Sequence, residues 1–184
     1  MENESPGSED KDAQLMVRAG AGDLAAFQEL VIRNQPAAWA LAWRYLGDAA
    51  EAEDIVQEAF LRLLQAAPRY KPMASFRTYL ARIIVRLCLD FRSKKRPLYG
   101  ALPPEVAGNY ETTPEDFLEQ KEIAGRLRQA LEGLPSAQRM AILLRHLEGF
   151  TYSQIAEAMG ISAKAVDSLL QRARQTLRAR LVAS

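Results

Sequence analysis

The side chains whose types and spacing suit chemistry gather in the last third of the chain, and that chemistry is hydrogen bonding and charge, not bond breaking. Within TYSQIAEAMGISAKAVDSLLQRAR, Thr151 to Arg174, the residues Ala163, Lys164, Asp167, Ser168, Gln171 and Arg172 point away from an apolar stripe at helical spacing. Cationic and amide groups reach phosphates, and amide, hydroxyl and carboxylate groups read base edges. Thr151, Ser162 and Arg174 flank the same surface. A second constellation lies upstream, where Tyr79, Arg82 and Arg86 recur at intervals of three and four, preceded by Tyr70 and Lys71 and followed by Arg92, Lys94, Lys95 and Arg96. Rings interleaved with cations bind single-stranded nucleic acid, because bases stack on the rings while the cations follow the phosphates. Each set also has a plain reading: an ordinary helical hairpin for the first, half-buried core edges for the second.

Covalent catalysis has little material. His146 is the only histidine and lies in an apolar helical stretch, where it reads as a satisfied structural residue. Cys88 is the only cysteine, flanked by Leu87 and Leu89, which excludes an internal disulfide and suggests packing. No nucleophile and base pair, metal cluster or cofactor motif is assembled, so the chain is not expected to be an enzyme.

These groups need helices to hold them. Thr151 with Gln154 opens a capping box, Gly160 suits the left-handed end of that helix and Ser162 caps the next. Ile155, Met159, Val166, Leu169, Leu170, Ala173 and Leu177 form the stripe that buries the pair. The upstream set sits on a long helix with Phe76, Leu80, Ile83, Ile84, Leu87 and Phe91 as its core stripe. Before it, Asp48 starts a helix through about Gln65 with Ile55, Ala59, Phe60, Leu63 and Leu64 as its apolar face. Its other side presents Asp54, Gln57, Glu58 and Leu61, an acidic and amide surface suited to a protein partner. Asp23 caps an earlier helix in which Pro36 marks a kink or break and Gly47 a stop. In the second half, Leu134, Met140, Leu143, Leu144 and Leu147 read as core.

At 184 residues and 48% hydrophobic, the chain has material for one moderate core or two small ones. The expected fold is all-α, with a disordered segment over 1–22, one helical domain over 23–97, a proline-rich linker over 98–117 and a second helical domain over 118–184. No apolar run is long enough to cross a bilayer and the N-terminus is polar and acidic, so a soluble cytoplasmic protein without membrane contact is expected. The formal net charge of +1 hides a strong segregation: residues 1–58 carry a net −8, residues 69–97 a net +8, residues 98–133 a net −4 and residues 134–184 a net +4. Positive segments attract phosphate, whereas negative ones are repelled by DNA and suit a basic protein surface.

The order of these features resembles the bacterial extracytoplasmic-function, or group IV, sigma factors of the sigma-70 family, over nearly the whole chain. DAAEAEDIVQEAFLRLL is similar to their region 2 helix on the β′ clamp helices of RNA polymerase, which implies core binding by Asp54, Gln57, Glu58 and Leu61. FRTYLARIIVRLCLDFRSKKR resembles the −10 reading and melting helix, and Leu134 to Leu181 resembles region 4, which reads the −35 element and meets the β flap. The resemblance implies core polymerase, promoter DNA and an anti-sigma factor as partners. A free-standing helix-turn-helix regulator is the competing class. The sequence departs from the family pattern at Tyr79, where many members have tryptophan, at Arg86, where many have asparagine, and at Asp167 and Leu169, where many have lysine and arginine. Arg86 lacks the acceptor of an asparagine, and Asp167 can accept from a cytosine amino group but cannot bind phosphate.

Overall fold

The computed structural model describes residues 6–94, 125 and 129–182, and among these every regular element is helical, as the sequence leads one to expect. Helix α1 spans Pro6–Gly20, α2 Leu24–Leu46, α3 Ala49–Ala66 and, after a 3-10 turn at Ala67–Arg69, α4 spans Phe76–Lys94. The second half contains α5 at Ser136–His146, α6 at Tyr152–Met159 and α7 at Ala163–Val182. The expected linker, together with Lys95 and Arg96, lies outside the described residues.

Local chemistry sets the helix starts. The Asp23 carboxylate accepts from the Ala26 N–H at 3.0 Å and that of Asp48 from the Glu51 N–H at 2.9 Å, each satisfying a donor that the helix itself leaves open. The Ala26 bond, with the nearby Arg18 guanidinium, holds the Asp23 carboxyl below its usual range. Ser75 starts α4, its hydroxyl accepting from the Thr78 N–H at 3.3 Å. Pro36 neither ends nor splits α2. Leu30 before it and Leu41 and Tyr45 after it are buried in one core, so packing on both sides carries the helix through.

The expectation of disorder over 1–22 is corrected by α1. The acidic, polar opening masks an amphipathic stretch in which Leu15, Met16 and Ala19 are buried. Buried Asp12 accepts from Arg33 Nε at 2.6 Å and Asn34 Nδ2 at 3.2 Å, tying α1 to α2. At the far end Gly20 lies so near the 3-10 turn that an added Cβ would stand 2.2 Å from the Ala67 carbonyl oxygen; only glycine fits this approach. Three side chains also differ from expectation. Leu64 and Leu147 are exposed where core was expected, and His146 is exposed at the end of α5 instead of satisfied within an apolar helix. Leu64 stands at the edge of the stripe that buries Leu63, facing solvent, and His146 and Leu147 lie at the end of α5 where the helix leaves the core.

Helix α4 is the hub, packing against α1, α2, α3, α5 and α6. Its core stripe of Phe76, Leu80, Ile84 and Leu87 is buried, and so is a second stripe of Ala81, Val85 and Cys88. Burial pushes the Cys88 thiol up to about 12, so it is a protonated packing group at neutral pH.

Because Met16 is fully buried, Met16→Ala is expected to destabilise the protein by about 2–5 kcal/mol in urea unfolding. Unchanged stability would mean that α1 contributes nothing to the core.

Candidate nucleic-acid interface

The double burial of α4 leaves one open stripe. Arg82 and Arg86 are exposed on it and Tyr79 is half-buried. Tyr79 is braced by Tyr70, their ring centroids 5.2 Å apart, and Tyr70 in turn meets the edge of Phe76 at 6.4 Å. The ring at Tyr79 is thus held by a chain of aromatics rooted in the core. Tyr79, Arg82, Ile83 and Arg86, with Arg62 from α3, line a groove of about 300 Å³. Sequence reading missed Arg62, which lies on the helix read as acidic; its spacing of four from Glu58 was the available signal. The two form an ion pair at 2.7 Å, both nearly half exposed, so the contact is weak and Arg62 remains available to phosphate. Of the other residues expected here, Lys71 and Lys94 are exposed. Arg92 is turned inward: its guanidinium lies over the Tyr45 ring at 5.8 Å and donates to the Tyr45 and Leu46 carbonyls at 3.4 and 3.3 Å. That geometry makes Arg92 a strut between α4 and the end of α2.

On α3, Asp54, Gln57 and Leu61 are exposed and Glu58 is half-buried, all on the side away from Ile55, Val56, Ala59 and Leu63. The misplaced Leu64 joins this side, so the surface combines carboxylates and an amide with two leucines, a composition suited to a protein and not to phosphate.

The helix pair at α6 and α7 has the expected caps. Thr151 and Gln154 form a complete capping box, Gly160 takes φ +66 at the end of α6, and Ser162 accepts from the Ala165 N–H at 3.2 Å. Ile155, Val166, Leu170 and Ala173 are buried between the helices. Ala163, Lys164, Asp167, Gln171, Arg172 and Arg174 are exposed along α7, with Thr151 and Ser162 exposed at the helix starts. Ser168 is half-buried and donates its hydroxyl to the Lys164 carbonyl at 3.1 Å, which leaves only its lone pairs for a ligand.

Two family descriptions match this chain: Sigma-70 region 2 over residues 30–97 and Sigma-70 region 4 over residues 124–177. A helical promoter-recognition factor with both halves is the class so defined. The sigma-H factor of Pseudomonas aeruginosa is 31% identical over 180 residues, covering 92% of this chain and 93% of that protein. SigW of Bacillus subtilis is 32% identical over 171 residues, 87% of this chain and 91% of SigW, and the sigma-E factor of Escherichia coli is 31% identical over 176 residues, 90% and 92%. Among solved structures, CnrH in complex with the cytosolic domain of CnrY matches with TM-score 0.69 at 28% identity, covering 95% of this chain and 99% of CnrH. The chain belongs to the extracytoplasmic-function group of the sigma-70 family of RNA polymerase sigma factors.

The Tyr70 hydroxyl is buried without a hydrogen-bond partner, and burial raises its pKa. Tyr70→Phe is therefore expected to leave stability unchanged or raise it by up to about 1 kcal/mol in urea unfolding. A loss of that size would show that the hydroxyl has a partner.

Proposed function

We propose that the exposed side of α3 docks the chain on core RNA polymerase, with Asp54, Gln57, Glu58 and Leu61 in contact with the β′ clamp helices and Leu64 and Gln65 extending the patch. The groove of α4 receives the non-template strand at the −10 element. Bases stack against Tyr79, which Tyr70 backs with a second ring, while Arg62, Arg82 and Arg86 take phosphates or base edges and Lys71 and Lys94 to Arg96 widen the positive field. In the second domain, Thr151, Ser162, Ala163, Lys164, Asp167, Ser168, Gln171, Arg172 and Arg174 read and hold the −35 duplex, with α7 in the major groove and the β flap nearby. On this assignment residues 23–97, with α1 packed onto them, and 118–184 are the two working halves.

The observation that carries this reading is the separation of surfaces on adjacent helices. The α3 side is acidic and leucine-bearing, while the α4 stripe beside it is cationic and aromatic. The first would repel DNA and the second attracts it. No reaction is assigned to the chain, whose work is binding and strand separation in the cytoplasm. Among the described residues no helix is long and apolar enough to cross a membrane. A protein of the anti-sigma kind is the third partner we assign, in keeping with CnrH having been solved with a domain of CnrY.

Run-off transcription by core polymerase on matched promoters is expected to require this protein; equal initiation without it would overturn the reading. A regulator acting without polymerase would instead shift promoter duplex alone. Arg172 is exposed on α7, so Arg172→Ala is expected to weaken −35 binding by the polymerase complex by about 1 kcal/mol across sequences and to reduce the salt slope by about 1. An unchanged affinity and slope would remove Arg172 from the phosphate contacts.

A further inference from the structure

The end of α1 supports the α4 groove from behind. Met16 and Ala19 are buried there, and Gly20 lets the helix close on the 3-10 turn of Ala67–Arg69. A Cβ at Gly20 would overlap the Ala67 carbonyl oxygen and stand 2.8 Å from the carbonyl carbon and 3.4 Å from Pro68 Cα, so fixed backbone fills the space, not a side chain that could swing away. The same carbonyl accepts from the Tyr70 N–H at 3.1 Å, which closes the 3-10 turn. The glycine of α1 and the backbone anchor of Tyr70 therefore meet at one oxygen atom.

Beyond that oxygen lies the aromatic chain of the groove. The Tyr70 hydroxyl is buried without a hydrogen-bond partner, so no polar contact of the side chain locates the ring. Its backbone anchor and the rings of Phe76 and Tyr79 do so instead. Helix α1 is a firm support because it is tied to α2 at both ends. Asp12 accepts from Arg33 and Asn34 near the start, and at the end Arg18 donates to Asp23 Oδ2 from Nη2 at 2.6 Å and from Nε at 3.0 Å. The other Asp23 oxygen caps α2 through the Ala26 N–H. With α1 held in this way, a methyl group added at Gly20 would displace the turn, and a close-packed interior passes such a displacement on to its neighbours.

We propose that Gly20 is a positioning residue for the α4 groove: the close seat of α1 on the Ala67 carbonyl sets where Tyr70 is delivered, and through Tyr70 it sets how the Tyr79 ring is presented to a stacking base. The stacking clause rests on the function proposed above; the positioning itself does not. Helix α1 lies before residues 30–97, the span of the region 2 match, so this influence reaches the groove from outside that span.

The test uses the full chain with its six tyrosines fluorinated, the resonances of Tyr70 and Tyr79 being assigned from Tyr70→Phe and Tyr79→Phe. Gly20→Ala is expected to shift both resonances. In complex with core polymerase it should weaken binding of a single-stranded −10 oligonucleotide several-fold, while affinity for core and for −35 duplex stays native. The same substitution in a Tyr79→Ala chain should cost nothing further, because the ring through which it acts is gone. Unmoved resonances in folded Gly20→Ala, or an equal loss in the Tyr79→Ala chain, would overturn the proposal. Circular-dichroism melting identifies a Gly20→Ala protein that fails to fold, and Arg18→Glu then decides. That change sets a second carboxylate against Asp23 on the exposed side of α1 and reaches the turn only through the helix. Shifts at Tyr70 and Tyr79 would support the positioning, and native resonances would overturn it. Resonances that move as expected while the native complex has no affinity for the oligonucleotide would overturn the function proposed above and leave the positioning standing.

Discussion

Everything in this molecule depends on how α4 is buried. A helix that packs against five others is ordinarily committed to structure, yet this one keeps the stripe of Tyr79, Arg82 and Arg86 in solvent. The small residues Ala81 and Cys88 on the second buried stripe let neighbouring helices approach from a side that bulkier groups would block. Such packing fixes the rotation of the helix, and the rotation decides which residues face solvent. Tyr70 and Phe76 then fix the Tyr79 ring from the inside, so the surface proposed for stacking is positioned in the free protein.

Electrostatics divides the remaining surface. Carboxylates concentrated before residue 59 and cations concentrated after residue 68 would attract one another at random on an unstructured chain. Folded, Asp54 and Glu58 stand on the outer side of α3 and Arg82 and Arg86 on that of α4, with the Glu58–Arg62 pair at the boundary. A few acidic groups leave this division and act internally: Asp12 joins α1 to α2, and Glu148 joins the two domains. Part-buried pairs of this kind specify an arrangement more than they stabilise it, because desolvation offsets much of the attraction.

Much of this was legible in the sequence, because helices whose stripes repeat over several turns carry their own orientation. The caps at Asp23, Asp48, Thr151 and Ser162 and the outward set on α7 follow from local rules, and local interactions realise them. What was hidden depends on contacts distant in the chain. Helix α1 is read as disorder from its acidic opening, and only the partners of Asp12 on α2 show why it folds. Arg62 is invisible as a groove residue until α3 is placed beside α4, and Arg92 reads as a DNA cation until Tyr45 is placed beneath it. The family resemblance supplied the division into regions 2 and 4, which periodicity alone reads only as two helical domains.

The central claim is that α4 presents a preorganised aromatic and cationic stripe to the strand being opened, while the acidic side of α3, not this stripe, docks the first domain on polymerase. The most direct test is the chemical reactivity of −10 thymines to permanganate in complexes of core polymerase, promoter DNA and either the native chain or Tyr79→Ala. The account predicts that the variant binds core polymerase with native affinity but loses most −10 reactivity. Full reactivity with Tyr79→Ala, or loss of core binding with it, would contradict the account.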